Sequence, residues 1–435
     1  MRRWRAAAAL VPLVAVCTLL LGACGGRGAE GPEGRPAPGA TSPVAGDATT
    51  PPRPNADLVI WADQSLTDVV TGLAQAYGKA NDLTVAVQSI SDPVMTGHPS
   101  RTELDPFLAA NASGKGPDVV MGPAWWIGSL VQNGAINPVR LTETDQQWYS
   151  GLALKAVTYS DKVYGLPYAY ESVGLFRNTD LVDRAPNSLE ELGQLAASTG
   201  AEHPLCLPVG KDGDVYSMYP VFSPAGGYVF GTRSDGSYSP ADLGIAKRGS
   251  LQAARRLAYL GKAGVLTTSI STTDDVPMFI QGRCPFLVAG PEAVPQVRAA
   301  GMHYAITPMV GFAGLEPARP LVDVQAFFVA SKGAGRGDGQ RFVLDAANSP
   351  EAMTALYSAR PRPPAMAAVL QQVSSSDADT ASFAAAASAG QVLPAVPQMA
   401  AVWGPLGRAE AAIVEGADPT TTMSVAATEV AEKMS

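Results

Sequence analysis

The chain has 435 residues, 46% hydrophobic and 16% charged, with 39 acidic against 31 basic side chains and a formal net charge of −8. This is a globular composition, and its acidic balance argues against nucleic acid as a partner. The histidines, His98, His203 and His303, lie far apart without ligand spacing, so neither a metal site nor a cofactor is expected.

Arg2, Arg3 and Arg5 form a basic start, followed by the uncharged stretch 6–21. Such a run suits the core of an export signal and is short for a membrane span. Leu21-Gly22-Ala23-Cys24 then resembles the bacterial lipobox, in which the cysteine becomes the lipidated first residue. A secretory signal with a chance cysteine is the competing reading. Seven glycines and seven prolines crowd residues 25–55, which predicts a disordered tether over 25–56 with a reach of roughly 30 Å. Signal, lipid and leash together place the body outside the cytoplasm, anchored to the outer face of the cell membrane. No later run approaches the ~20 apolar residues of a spanning helix.

The body from Asp57 onward is too long for one ordinary core, so two lobes are expected. Leu58-Val59-Ile60-Trp61 reads as a buried strand, 69–77 as a helix and 83–88 as a strand, a β-α-β start. A helix over 103–112, a strand over 118–121 and a helix over 125–132 follow, the last stopped by Asn133-Gly134. Residues 163–178 hold two extended pieces, and Ser188-Leu189-Glu190-Glu191 is a capping box. Ser234-Asp235-Gly236 signals a hairpin. Helices are expected over 249–263 and 291–300, strands over 286–288, 304–307 and 324–330, and mostly helix from Gly337 onward. This alternation predicts an α/β protein with crossover connections. Of four cysteines, Cys17 and Cys24 belong to the leader, which leaves Cys206 and Cys284 to pair in an oxidising compartment or to remain two buried thiols.

Catalytic signatures are missing. There is no G-x-S-x-G elbow, P-loop or H-E-x-x-H, and Gly114-Lys115-Gly116 and Gly333-Ala334-Gly335 lack the third glycine of a dinucleotide fingerprint. No particular acidic pair stands out for glycosidic chemistry. A tethered, two-lobed chain of this kind reads as a receptor and not an enzyme.

The order of several short segments resembles the extracytoplasmic solute-binding proteins of ABC importers, near the maltose-binding branch. They are Leu58-Val59-Ile60-Trp61, Gly116-Pro117-Asp118-Val119-Val120, Tyr164-Gly165-Leu166-Pro167-Tyr168-Ala169-Tyr170-Glu171, Tyr219-Pro220, Ala225-Gly226-Gly227-Tyr228, Gly290-Pro291, and Val396-Pro397-Gln398-Met399 leading to Trp403. The resemblance implies an α/β, two-lobed periplasmic-binding-protein fold with three hinge crossovers, near 170–173, 323–326 and 374–378. Lobe 1 would hold 57–170 and 327–373, and lobe 2 would hold 171–326 and 379–435. It further implies a monomer that closes on a mono- or oligosaccharide and presents it to a membrane permease.

Pyranose rings have apolar faces and a rim of hydroxyls, so aromatic rings and carboxylates should line the cleft. By resemblance, Glu171 aligns with a sugar-binding glutamate, with a hinge role as the alternative; Tyr170 precedes it. Asp214 and Tyr216 align with a carboxylate and a stacking tyrosine, against a reading as solvated loop residues. Trp403 aligns with a stacking tryptophan, against a core role. Asp63 and Gln64 follow the first strand where polar ligand contacts are expected, although turn roles suit them too. Two positions depart from the family pattern. Gly122 stands where a stacking tryptophan is expected, with Trp125 and Trp126 following, one of which should bind while the other is core. Glu292 replaces the second tryptophan. Asp118 reads as a structural, loop-fixing residue. A phosphorylated polyol would need clustered Arg or Lys, few of which lie near the expected cleft; ferric iron would need a Tyr/His set; a tethered glycosidase is a remote alternative.

Overall fold

The computed structural model describes residues 52–90 and 104–435. The expected signal, Cys24 and the tether up to residue 51 lie outside the described residues.

Four strands, Leu58–Asp63, Val119–Pro123, Gly165–Glu171 and Leu321–Ala330, are buried at every position. Near-continuous burial of this kind belongs to a sheet covered on both faces. Leu58–Asp63 runs parallel to Val85–Ile90 on one side and to Val119–Pro123 on the other. The helix Thr67–Asn81 makes the first crossover and stops at Asp82, which adopts a left-handed φ of 55°. Leu321–Ala330 is antiparallel to both Val119–Pro123 and Gly165–Glu171, so the seven-stranded sheet is mixed.

A second, four-stranded sheet has the order Tyr304–Thr307, Gly174–Asn178, Phe286–Ala289, Leu205–Cys206. Cys206 and Cys284 are bonded, with Cα atoms 5.6 Å apart. The bond clips the short strand Leu205–Cys206 to the segment that leads into its parallel neighbour. Just two residues, Ser172 and Val173, carry the chain from the first sheet into the second. The return is earlier than 323–326, because Asp323 already faces Glu171 across the first sheet. The polar residues at 323 and 325 mark the site, and the strand runs straight through them.

Local signals explain most element boundaries. Gly134 (φ 58°) follows the helix Ile127–Gln132, and Gly236 (φ 80°) turns the hairpin of Phe230–Thr232 and Tyr238–Leu243. Ser188 caps the helix Leu189–Ala197 by accepting from the Glu191 amide at 3.2 Å. The reciprocal half of the box is displaced by one residue: the Glu191 carboxylate takes the Asn187 amide at 2.6 Å and the Arg184 guanidinium. Arg248–Lys262, Trp403–Val414, Pro419–Met434 and Val215–Phe222 form a helical layer around the C-terminus.

The expected tether is shorter than its composition indicates. Arg53 Nη2 reaches the buried carboxylate of Asp118 at 2.8 Å, and Nη1 donates to the Gly116 carbonyl at 2.6 Å. Asp118 also accepts from the Val59 amide at 2.8 Å and the Gly335 amide at 2.7 Å. One carboxylate therefore fastens the start of the body, the first strand and the loop after the longest strand. We expect Arg53→Ala to lower stability by about 1–3 kcal/mol, because a charged hydrogen bond is lost beside a buried acid. Urea melts of the two proteins measure it; coincident curves would show that Arg53 anchors nothing.

Candidate functional site

Strand ends of the two sheets bring the polar groups of the site together. Glu171 closes the strand Gly165–Glu171 and lies opposite Asp323 in the antiparallel register. Its carboxylate is 3% exposed and ion-paired with Arg362 Nε. Arg362 comes from an Arg-Pro-Arg-Pro-Pro segment that runs along the edge of this strand: the Tyr170 amide donates to the Pro363 carbonyl at 2.9 Å and the Ala365 amide to the Tyr168 carbonyl at 3.0 Å. Prolines suit such an edge because they have no amide to leave unpaired.

Asp214 is the N-cap of the helix Val215–Phe222. Its Oδ1 accepts the amides of Tyr216 and Ser217 at 3.0 and 3.1 Å, and Oδ2 accepts the Ser217 hydroxyl at 3.1 Å. This is a buried cap and not a solvated loop. The preceding Gly213 has φ 73°, and a Cβ there would fall 1.8 Å from the Gly407 carbonyl, so the cap is seated directly on the helix Trp403–Val414. Two residues on, the Tyr216 hydroxyl is buried and has no hydrogen-bond partner among the described residues. The fields of Glu171, Asp323, Glu292 and Asp214 all reach it. Glu292 follows the strand Phe286–Ala289, accepts the Gly290 amide at 3.0 Å and is exposed, yet its pKa is raised by desolvation. Asp63 is buried at the end of the first strand and accepts the Tyr168 hydroxyl at 2.9 Å.

The aromatic part comes from two distant segments. Trp125 and Trp403 meet edge to face with ring centroids 6.2 Å apart, and the Trp403 Nε1 is buried without a hydrogen-bond partner among the described residues. The backbone amides of Ala124 and Trp125 point at the Asp323 carboxylate, which joins the indole pair to the acidic group.

Three of the expected residues take other positions. Trp126 is fully buried, and its ring covers Gly122 so closely that a Cβ there would sit 2.4 Å from its Cζ3. The place of the expected stacking ring is thus filled by a core indole, and Trp125 is the one that meets Trp403. The Tyr170 hydroxyl pairs with Ser150 Oγ, turned toward the helix Gly151–Val157 and away from Glu171. Gln64 is exposed on the short turn Gln64–Leu66.

Arg362, Asp323, Gln325 and Asp275 also belong to this neighbourhood, although sequence reading passed over their side chains. The sparse-cation expectation is corrected at Arg362, since a residue 191 positions after Glu171 cannot be placed beside it before the fold is known. The signal that could have found it is the proline-flanked arginine pair Arg360 and Arg362. Behind Asp214, Glu410 is fully buried with both carboxylate oxygens unpartnered among the described residues, and burial pushes its pKa well above the usual carboxylate range.

A family profile described as "Bacterial extracellular solute-binding protein" matches residues 72–386. The chain belongs to the bacterial extracellular solute-binding proteins. It is 25% identical over 379 residues to the galactooligosaccharide-binding protein of Bacillus subtilis, covering 85% of this chain and 88% of that one. It is 24% identical over 361 residues to the maltodextrin-binding protein MdxE of the same organism, covering 80% and 82%. A maltooligosaccharide ABC transporter solute-binding lipoprotein of Streptococcus pneumoniae is 25% identical over 311 residues, covering 68% and 66%.

For this solute-binding protein the buried acids carry a pH signature. Burial first, then neighbouring carboxylates, raises Glu171 from 4.5 to about 8 despite Arg362; burial also raises Asp214 and Asp323 from 3.8 to about 7. The folded state therefore holds protons that the unfolded chain has released, and stability falls as pH rises from about 4 to about 8. Glu171→Gln should make that slope shallower, because the amide cannot take up the proton that the buried acid binds on folding. Thermal melts at intervals across this window test it, and an unchanged slope would remove Glu171 from the set.

Proposed function

We propose that this chain is the substrate-binding lipoprotein of an ABC importer: a receptor that captures an oligosaccharide between two lobes and hands it to the membrane permease. The lobe built on the seven-stranded sheet and the lobe built on the four-stranded sheet would close about the two-residue passage at Ser172 and Val173. Cys24 would carry the lipid that keeps the receptor at the outer face of the membrane. Both lobes contact a ligand only when closed, so closure couples occupancy to a surface the permease reads.

The observation that carries the saccharide reading is the Trp125–Trp403 indole pair set beside carboxylates, with the Trp403 Nε1 and the Tyr216 hydroxyl buried and unpartnered. A pyranose offers both things this lining needs: apolar C–H faces for the rings and hydroxyls for the polar atoms. The names of the relatives, which bind galactooligosaccharide, maltodextrin and maltooligosaccharide, support the same class. The reading is of capture without turnover, and no cofactor is called for.

Calorimetry with galacto- and maltooligosaccharides, alongside a thermal-shift screen of other saccharides, should yield at least one compound that releases heat and raises Tm by mass action. Trp403→Ala should then weaken binding by about 1.5–3 kcal/mol, roughly 10- to 100-fold, through loss of one buried ring face. Tyr216→Phe, which removes only the hydroxyl, should cost about 1 kcal/mol. A screen without any saccharide hit would overturn this reading, and product release on incubation would replace the receptor with a hydrolase.

A further inference from the structure

The lining around Tyr216 is unusually rich in hydrogen-bond acceptors. Asp323 and Glu171 face each other across antiparallel strands, an arrangement that is repulsive when both are charged; Arg362 pairs with Glu171, and its charge also reaches Asp323. Glu292 lies in the short helical turn that follows the strand Phe286–Ala289 of the four-stranded sheet, and Asp275, at the start of the helix Asp275–Ile280, lies within the fields of Glu292 and Asp214. Gln325 supplies an independent observation. It is fully buried, its Nε2 lies 3.5 Å from the Asp323 carboxylate, and its Oε1 has no hydrogen-bond partner among the described residues. A buried amide oxygen beside a carboxylate asks for a donor, and leaving it unmet costs free energy.

A sugar hydroxyl is both donor and acceptor, whereas an ammonium group has three donors, a positive charge and no acceptor. Resting on the saccharide reading above, we propose that the preferred solute is an amino sugar or an oligosaccharide containing one, with its protonated amine held between Asp323, the Gln325 Oε1 and Glu292. The hydroxyl groups and ring faces of the same ligand use the Trp125–Trp403 pair and Tyr216. An amine placed there adds a second positive charge beside Asp323 and Glu171, which favours their ionised forms. It is also recognised by charge-assisted hydrogen bonds, which are stronger than those to a neutral hydroxyl. An N-acetylated sugar lacks the charge and brings an acceptor of its own, so this lining should discriminate against it.

The test is calorimetric binding to the full mature chain near neutral pH. The probes are cellobiose-, lactose- and maltose-type disaccharides, each compared with its 2-amino-2-deoxy and N-acetylated counterparts. The expected result is an amine form bound about 10-fold or more tightly than its neutral partner, with the advantage shrinking as salt is raised. Glu292→Gln, at an exposed position, should cut the amine-to-neutral affinity ratio by about fivefold or more, and Asp275→Asn should cut it less. Equal or weaker binding of the amine, with neutral sugars still bound, would overturn the amino-sugar proposal and leave the saccharide reading standing. Binding of neither series would overturn both. A ratio untouched by Glu292→Gln in a variant with normal melting would also overturn the assignment of the amine to this wall.

Discussion

The buried ion pair between Glu171 and Arg362 organises this molecule. It sits where the chain leaves one sheet for the other, with two residues between Glu171 and the strand Gly174–Asn178 of the second sheet. A carboxylate in that position is costly to bury alone, and Asp323 directly opposite makes it more so. The guanidinium offsets that cost and lets the strand Gly165–Glu171 end in charge. The proline-rich segment that delivers Arg362 also closes the strand edge with backbone hydrogen bonds. Removing Arg362 would take away the nearest positive charge from Glu171 at the passage between the sheets.

From that pair outward the site is a set of acids held by different means. Asp63 is held by a tyrosine hydroxyl, Asp214 by the first turn of a helix, Asp323 by backbone amides and Glu292 by the amide of Gly290. Each group spends acceptor capacity on its own positioning. Raised pKa values follow from that economy, since burial and like-charge neighbours both favour the protonated form. The indoles differ in kind. Trp126 is spent on the core over Gly122, while Trp125 and Trp403, three hundred residues apart in round terms, form a platform that exists only once the two chain segments meet.

Much of the fold was legible because its signals are local. The strand at Leu58–Asp63, the stop at Gly134, the cap at Ser188 and the hairpin turn at Gly236 each follow from side chains within a few residues. Composition was less reliable where a distant partner intervenes. Arg53 reads as part of a leash until its contact with Asp118, 65 residues away, is seen. Residues 323–326 are expected as a hinge crossing by resemblance, because polarity in sequence does not reveal that Asp323 and Gln325 can be buried within one continuous strand.

By itself, the sequence determined the alternation of strand and helix, the segments that carry the family likeness, and the residue types available for a polyhydroxylated ligand. These are properties of short windows, in which hydrophobic period, capping chemistry and glycine placement act over a few residues. The tertiary structure alone decided which tryptophan meets Trp403, that Tyr170 turns away from Glu171, and that an arginine from residue 362 neutralises the carboxylate at residue 171. Those outcomes depend on Coulomb and packing terms between groups that touch only after the chain has folded, so no window of neighbouring residues contains them.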